Sequence, residues 1–113
     1  MSKIYYIDLE NKLEAAMTIS FKSRIDWLEE GLSILSWKYH FISESETDDL
    51  KENYLKFRKW RGNSKSKKCG HSSMSIGDIV EISDGTAWIV VSSGWQRIPR
   101  ALYEKINIIG KDK

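Results

Sequence analysis

The 113-residue sequence has a single cysteine, a single proline and no long hydrophobic run. One cysteine, Cys69, excludes an intramolecular disulfide and favours a reducing compartment. No apolar segment approaches the roughly 20 residues that a membrane-spanning helix needs. The N-terminal sequence MSKIYYIDLENK has no apolar core after its first basic residue, unlike a signal peptide. These absences predict a cytoplasmic protein with no membrane partner.

Histidine is also scarce, since His40 and His71 are the only two. His71 precedes three serines, Ser72, Ser73 and Ser75, which raises the question of a nucleophile and its base. A triad needs a base within hydrogen-bond reach and a third group that orients it, whereas adjacent side chains on an extended segment diverge. The nucleophile-elbow pattern G-x-S-x-G is absent. We therefore predict no catalytic residue and no enzymatic activity.

Metal and cofactor motifs are equally sparse. Cys69 and His71 supply two ligands where a structural zinc site needs four, and no glycine-rich phosphate loop is present. The carboxylate pair Asp48 and Asp49 is typical of a helix N-terminus. Asp78 follows a glycine at the entry to a strand, where a carboxylate commonly accepts backbone N–H bonds. The sequence therefore predicts no metal and no cofactor.

The composition is that of a small globular domain, with 41% hydrophobic and 12% aromatic residues. Apolar and aromatic runs predict strands, and helical spacing predicts helices. Strands are expected over residues 4–7, 37–42, 79–83, 86–91, 95–98 and 106–109. Helices are expected over residues 9–17, 23–35, 46–61 (with Thr47 as a cap) and 100–105.

These elements predict an α+β fold in a single domain over residues 1–113, with an N-terminal strand, two main helices and a C-terminal antiparallel β-meander. The predicted parts are an N-terminal strand and helix region (1–45), a helix (46–61), a mobile basic loop (62–72) and the meander (73–109). The dipeptide Asp84-Gly85 predicts a type I′ hairpin turn, in which both residues have positive φ.

Charge is segregated along the chain. Residues 44–52 carry five acids and one base, which gives −4, and residues 53–68 carry seven bases and no acid, which gives +7. Part of this pattern is ordinary helix chemistry, because acids favour the first turn of a helix and bases the last. The remainder leaves a basic segment that is interleaved with Phe57 and Trp60.

The segment Ser73-Met74-Ser75-Ile76-Gly77-Asp78-Ile79-Val80 resembles the S-L-S-V-G-D-V-I element of YodL-like proteins, which are small accessory proteins of bacterial plasmids and phages. The likeness covers roughly residues 50–98 and continues through Asp84-Gly85 and Gly94-Trp95. Met74 and Trp95 depart from the usual Leu and Phe. The resemblance implies no enzymatic activity, a host bacterial cytoplasm, and a structural role for the motif residues Ser73, Ser75, Gly77, Asp78, Asp84 and Gly85.

Two binding functions follow as alternatives. The first is a host-directed inhibitor of a defence protein, of the anti-CRISPR or anti-restriction type, as the resemblance to mobile-element proteins implies. It would dock on a host protein, such as a defence nuclease, through exposed aromatic and charged side chains. Its candidate residues are Trp95, Arg97, Trp60, Trp37, Glu46, Asp48 and Asp49.

The second is a small nucleic-acid-binding module, in which basic side chains contact phosphates while an aromatic ring stacks on a base. Its candidate residues are Lys56, Arg58, Lys59, Arg61, Lys65, Lys67 and Lys68, joined by Arg97 and Arg100. A solvated helix end followed by a flexible loop explains the same charges without a ligand. Salt dependence and charge reversal at the lysines separate the two binding functions.

Overall fold

The structure is a computed structural model that describes residues 1–19 and 34–109. Its strands are β1 (Ser2–Ile7), β2 (Lys38–Ser45), β3 (Ile79–Glu81), β4 (Ala87–Val91), β5 (Gly94–Arg97) and β6 (Asn107–Ile109). Its helices are α1 (Leu9–Ile19), α2 (Leu50–Arg58), α3 (Ser64–Cys69) and α4 (Arg100–Tyr103). Residues 34–36 are helical, and the rest of the predicted helix 23–35 lies outside the described residues.

All six strands form one sheet in the order β5-β4-β3-β1-β2-β6. β1 lies in the interior and pairs antiparallel with both β2 and β3. β3, β4 and β5 form an antiparallel meander, as predicted, and the α+β class is confirmed. Within the described ranges, no helix combines the length and apolarity needed to cross a bilayer.

The placement of β6 differs from the predicted meander over 73–109. β6 lies at the opposite edge of the sheet and pairs parallel with β2. A parallel neighbour requires the chain to cross a face of the sheet. The crossing segment contains α4, and it buries Tyr103 and Ile106 in the core. The burial of these two side chains accounts for the chain leaving the meander after β5.

The sheet is buried on both faces. Successive side chains of a strand point to opposite faces. In β1, Tyr5 and Ile7 therefore enter a first core with residues from α1 and α4, while Ile4 and Tyr6 enter a second core. All four of these side chains are fully buried. The second core is the one that lies beneath α2 and α3.

The turn between β3 and β4 is not the predicted type I′ turn. Gly85 has φ of 88°, whereas no described residue other than glycine has positive φ. The Gly85 N–H donates to the Ile82 carbonyl at 3.0 Å, and the Ile82 N–H donates to the Thr86 carbonyl at 3.0 Å. A turn that ends in one left-handed glycine has this pattern. The Asp84 carboxylate accepts from the backbone N–H of Thr86 at 2.8 Å, which explains why Asp84 keeps a negative φ.

The predicted mobile loop over 62–72 is wrong, because most of it is the helix α3. Asn63 and Ser66 form a reciprocal capping box, in which each side chain accepts from the backbone N–H of the other. Gly70 ends the helix in a left-handed conformation with φ of 105°. Ser66 and Cys69 are buried. The helix forms because both of its ends are capped and one side of it packs on the sheet.

Helix α2 is shorter than the predicted helix 46–61. Asp49 is its N-cap and accepts from the Glu52 N–H at 3.0 Å. The Thr47 hydroxyl donates instead to the Glu52 carboxylate at 2.7 Å, just outside the helix. Phe57 and Asn53 are the residues that α2 buries. Trp60 and Arg61 therefore lie in the short connection to α3.

Candidate nucleic-acid interface

Helices α2 and α3 are anchored side by side on the second core. Phe57 of α2 and Cys69 of α3 are both buried there, beside Tyr6 of β1. The Asn63 side chain also donates to the carbonyl of Ile42 in β2 at 2.9 Å, which fixes the start of α3 against the sheet. Both helices are consequently anchored on the second core, and the surface that they share with their connection faces solvent.

This surface carries the seven basic side chains that the sequence predicted as nucleic-acid ligands. All seven are exposed, and we call them the basic face: Lys56, Arg58, Lys59, Arg61, Lys65, Lys67 and Lys68. Among the residues that the structure describes, no carboxylate forms an ion pair with any of them. The lysines that the sequence assigned to a mobile loop therefore lie on the ordered helix α3.

Two of the basic side chains pack on aromatic rings, of which Phe57 is buried and Phe41 is half-buried. The Lys65 ammonium is 4.5 Å from the centre of the Phe41 ring, and the Lys56 ammonium is 5.4 Å from that of Phe57. Trp60 is half-buried and packs edge-on against Phe57, with ring centres 5.0 Å apart. The exposed part of the Trp60 ring thus lies next to Arg61, where a base could stack.

A pocket of about 320 Å³ opens between the end of α2 and the end of α3. It is lined by Arg61, Ser66, Lys67, Gly70, His71 and Ser72. Its lining residues include two permanent positive charges, Arg61 and Lys67, and no carboxylate. The pocket is an open depression in the basic face.

The wall of the pocket is held in place by β1. The Tyr6 hydroxyl donates to the Ser72 carbonyl at 2.9 Å, and the Tyr6 ring stacks on His71 at 4.8 Å. The two ring nitrogens of His71 lie 2.7 Å from the Ile7 carbonyl oxygen and 3.1 Å from the Ser73 carbonyl oxygen. His71 therefore contacts backbone carbonyls, and within residues 1–19 and 34–109 it contacts no serine hydroxyl.

The motif residue Asp78 lies behind this wall and is fully buried. Its carboxylate accepts from the backbone N–H groups of Ile7 at 2.9 Å and Ser75 at 2.8 Å, which confirms the expected turn role. Burial raises the pKa of Asp78 to about 8, against the opposing effect of these two hydrogen bonds. Burial also lowers the pKa of His71.

Gly77 of the motif also has a structural role, whereas Ser73 is exposed. Gly77 has φ of 97°, its N–H donates to the Val90 carbonyl, and its carbonyl accepts from the Tyr39 hydroxyl at 2.7 Å. Burial raises the pKa of the Cys69 thiol to about 12, so the thiol is protonated and donates to the Ile7 carbonyl. No group of three or more metal-ligating side chains occurs within residues 1–19 and 34–109.

The aromatic candidates for protein binding are not brought together. Trp37 was predicted to be a surface anchor, and this is wrong because it is fully buried in the first core. Its indole N–H donates to the Glu14 carboxylate of α1 at 2.8 Å, which draws the ring beneath that helix. Trp95 is half-buried and packs at right angles to Tyr54, with ring centres 6.5 Å apart.

The acidic candidates have structural partners. Asp48 accepts from the Ser2 hydroxyl at 2.9 Å and from the Ser83 N–H at 3.2 Å, and Asp49 caps α2. Glu46 is exposed in the connection before α2. The two aspartates thus fasten β1, α2 and the β3–β4 turn to one another, while all three acidic candidates stay exposed.

The arginines Arg97 and Arg100 are exposed but do not extend the basic face. Arg100 pairs with Glu104 of the following turn at 3.4 Å. Hydrogen bonds from Thr86 lower the pKa of Asp84, and the positive charge of Arg97 lowers it further. Arg97 therefore lies near the β3–β4 turn, and Arg100 lies on α4.

Comparisons with protein families, with curated proteins and with solved structures give no match to this chain. The resemblance of residues 73–80 to YodL-like proteins consequently stays a prediction. The sequence predicted all seven residues of the basic face but did not indicate the pocket. The sequence does contain signals of helix α3, which forms one side of the pocket. They are the capping box of Asn63 and Ser66 and the helix stop Gly70.

Proposed function

We propose that this protein acts by binding, and that its basic face binds the phosphate backbone of a nucleic acid. The supporting observation is the ordered pair α2 and α3, which presents seven exposed basic side chains with no carboxylate partner among the described residues. Positive charges that neutralise phosphates release counterions, which supplies the affinity and makes it depend on salt. The resemblance to mobile-element accessory proteins is compatible with this role.

The test compares two triple variants with equal changes in net charge. The first, Lys65→Gln, Lys67→Gln and Lys68→Gln, alters the basic face. The second, Lys3→Gln, Lys38→Gln and Lys105→Gln, alters exposed lysines elsewhere on the protein. Affinity for a fluorescently labelled single-stranded 20-mer is measured by anisotropy, with circular dichroism as the check on folding.

We expect the basic-face variant to lose at least about tenfold in affinity and the control variant to lose about threefold or less. Equal losses in the two variants would show that only the total charge matters, and they would contradict a specific face. The absence of any binding by the wild-type protein at low salt would refute the proposed function.

A second function is favoured by an apolar groove beside α2. The groove has a volume of about 490 Å³ and is lined by Lys51, Tyr54, Leu55, Ile76, Val90, Val91, Ser92, Gly94 and Trp95. Leu55 is 51% exposed, and Lys51 at the rim is exposed as well. We propose that this groove would take a protein segment in which an aliphatic side chain is followed by a carboxylate that pairs with Lys51. The host-directed inhibitor would dock through this groove.

Selection of a random peptide library on the immobilised protein tests the groove. The expected sequences combine an aliphatic or aromatic side chain with an acidic neighbour, and Leu55→Asp should abolish their binding. Leu13→Asp is the matched control, since Leu13 is 72% exposed on α1. Selected peptides that bind both variants equally, or no enriched peptide at all, would rule out the groove as a docking site.

A further inference from the structure

We infer that the pocket between α2 and α3 is a binding site for a single phosphate group, formed by Arg61, Lys67 and Ser72. This inference rests on the proposed nucleic-acid function and names the point of the basic face at which a strand is held. Three observations support it: the positive charges around the pocket, the hydrogen-bond donors of Ser72 in its wall, and the close packing of its backbone.

The charges favour an anion. Arg61 and Lys67 both line the pocket, and neither pairs with a carboxylate of the described residues. A guanidinium can donate two parallel hydrogen bonds to phosphate oxygens, and an ammonium adds a point charge. The acid behind the wall, Asp78, lies with its Oδ1 3.9 Å from the Nε2 atom of His71, but it is fully buried and its raised pKa keeps it largely neutral near pH 7. A cation would be repelled by the same surroundings.

The wall of the pocket has unused hydrogen-bond donors. The Ser72 carbonyl accepts from the Tyr6 hydroxyl, whereas the Ser72 hydroxyl and backbone N–H donate to no acceptor in the part of the chain that the structure describes. The ring nitrogens of His71 are already directed at two backbone carbonyls, so His71 contributes shape and not a ligand. Ser72 is therefore the neutral donor that complements the two basic side chains.

The backbone around the pocket is closely packed. At Gly62, with φ of 90°, an added Cβ would lie 2.3 Å from the Ser66 hydroxyl oxygen and 2.8 Å from the Ser72 Cβ. The connection after Arg61 thus lies directly against α3 and the Ser72 segment. The backbone that follows Arg61 is therefore packed before any ligand arrives, and such preorganisation lowers the ordering cost of binding.

The experiment uses inorganic phosphate and a labelled single-stranded oligonucleotide as separate probes. Amide and arginine side-chain NMR signals are followed during a phosphate titration at constant ionic strength, with chloride as the control anion. Oligonucleotide affinity is measured for Arg61→Gln and for Arg58→Gln, which removes the same charge from an exposed position of α2 outside the pocket lining. Ser72→Ala removes the hydroxyl while leaving both charges.

We expect phosphate to shift the Ser72 amide and the Arg61 side-chain signal, and Arg61→Gln to abolish these shifts while Arg58→Gln preserves them. Oligonucleotide affinity should fall about tenfold or more in Arg61→Gln, about threefold or less in Arg58→Gln, and by an intermediate factor in Ser72→Ala. Equal losses in the two arginine variants, with no localised phosphate shift, would overturn the pocket and leave the basic face standing. Localised phosphate shifts in a protein that binds no oligonucleotide would refute the nucleic-acid function and assign the pocket to a free phosphate compound.

Discussion

The buried carboxylate of Asp78 accepts a hydrogen bond from the backbone N–H of Ile7 at 2.9 Å, across 71 positions of the chain. This bond joins the end of β1 to the turn that precedes β3, and the same carboxylate accepts from Ser75 within that turn. Asp78 and the turn over residues 75–78 thereby join the first and second halves of the sequence. This fastening needs no role in binding.

Replacement of this carboxyl tests the fastening. In Asp78→Asn, one of the two backbone donors faces an amide NH₂ group and loses its acceptor. We expect a loss of about 1–3 kcal/mol in the free energy of unfolding at neutral pH, measured by urea denaturation. Ser73→Ala, at an exposed position whose hydroxyl has no partner in the structure, is the control and should change stability by less than about 0.5 kcal/mol.

The stability of the wild-type protein should also depend on pH through Asp78. The native carboxyl, with a pKa of about 8, keeps its proton at neutral pH, whereas in the unfolded chain it ionises near its ordinary value of 3.8. Its contribution is thus complete at acidic pH and is lost as pH rises through the folded pKa. Between about pH 7 and pH 8 we expect the free energy of unfolding of the wild-type protein, measured by urea denaturation, to fall by about 1 kcal/mol. The Asp78→Asn variant should not show this fall. The lowered pKa of His71 acts with the opposite sign and only below about pH 6.5. A pH profile that is the same in both proteins would contradict a protonated Asp78.

The capping box of α3 allows a test of whether the basic face must be ordered in order to bind. In Asn63→Ala the helix loses its N-cap bond and the bond to the Ile42 carbonyl, although no charge changes. We expect α3 to fray and the affinity for an oligonucleotide to fall about threefold to tenfold, together with faster amide exchange over residues 64–69. Ser64→Ala, one position further along, is the matched control. Unchanged affinity despite rapid exchange would show that α3 need not be ordered for binding.

Two glycines with similar backbone angles should respond differently to alanine. Gly70 has φ of 105° and Gly85 has φ of 88°. An added Cβ at Gly70 would lie 2.6 Å from the Leu9 Cβ, whereas at Gly85 no atom lies within 4 Å. Gly85→Ala should therefore cost only the backbone strain, about 1–2 kcal/mol, and Gly70→Ala should cost clearly more in the same denaturation experiment. Equal losses in the free energy of unfolding would contradict this, because they would mean that the Leu9 side chain moves away from the added Cβ at no cost in stability.

Much of the sheet was predictable, because its strands are short runs of apolar and β-branched residues between turn residues. The meander β3–β5 follows the sequence order and was found where the pattern placed it. The position of β6 was not predictable from its own residues. It depends on where Tyr103 and Ile106 find apolar surface, which is decided by α1, β2 and the first core.

The positions of the surface residues were also only partly predictable from local sequence. The exposure of the seven bases followed from their charge, but the burial of Trp37 depends on Glu14 of α1, which no local pattern reveals. Helix α3 was missed because six residues rich in serine and lysine have the composition of a loop. Its order comes from its two caps and from contacts with the sheet, and only the caps leave a signal in the sequence.

The salt dependence of oligonucleotide binding tests the basic face most directly. The logarithm of the affinity is measured against the logarithm of the salt concentration for the wild-type protein and for the variant with Lys65→Gln, Lys67→Gln and Lys68→Gln. If these side chains contact phosphates, the slope should become shallower by about 0.7 for each lost contact on a single strand. The variant with Lys3→Gln, Lys38→Gln and Lys105→Gln should keep the wild-type slope. A slope that is the same in all three proteins would contradict nucleic-acid binding through α2 and α3.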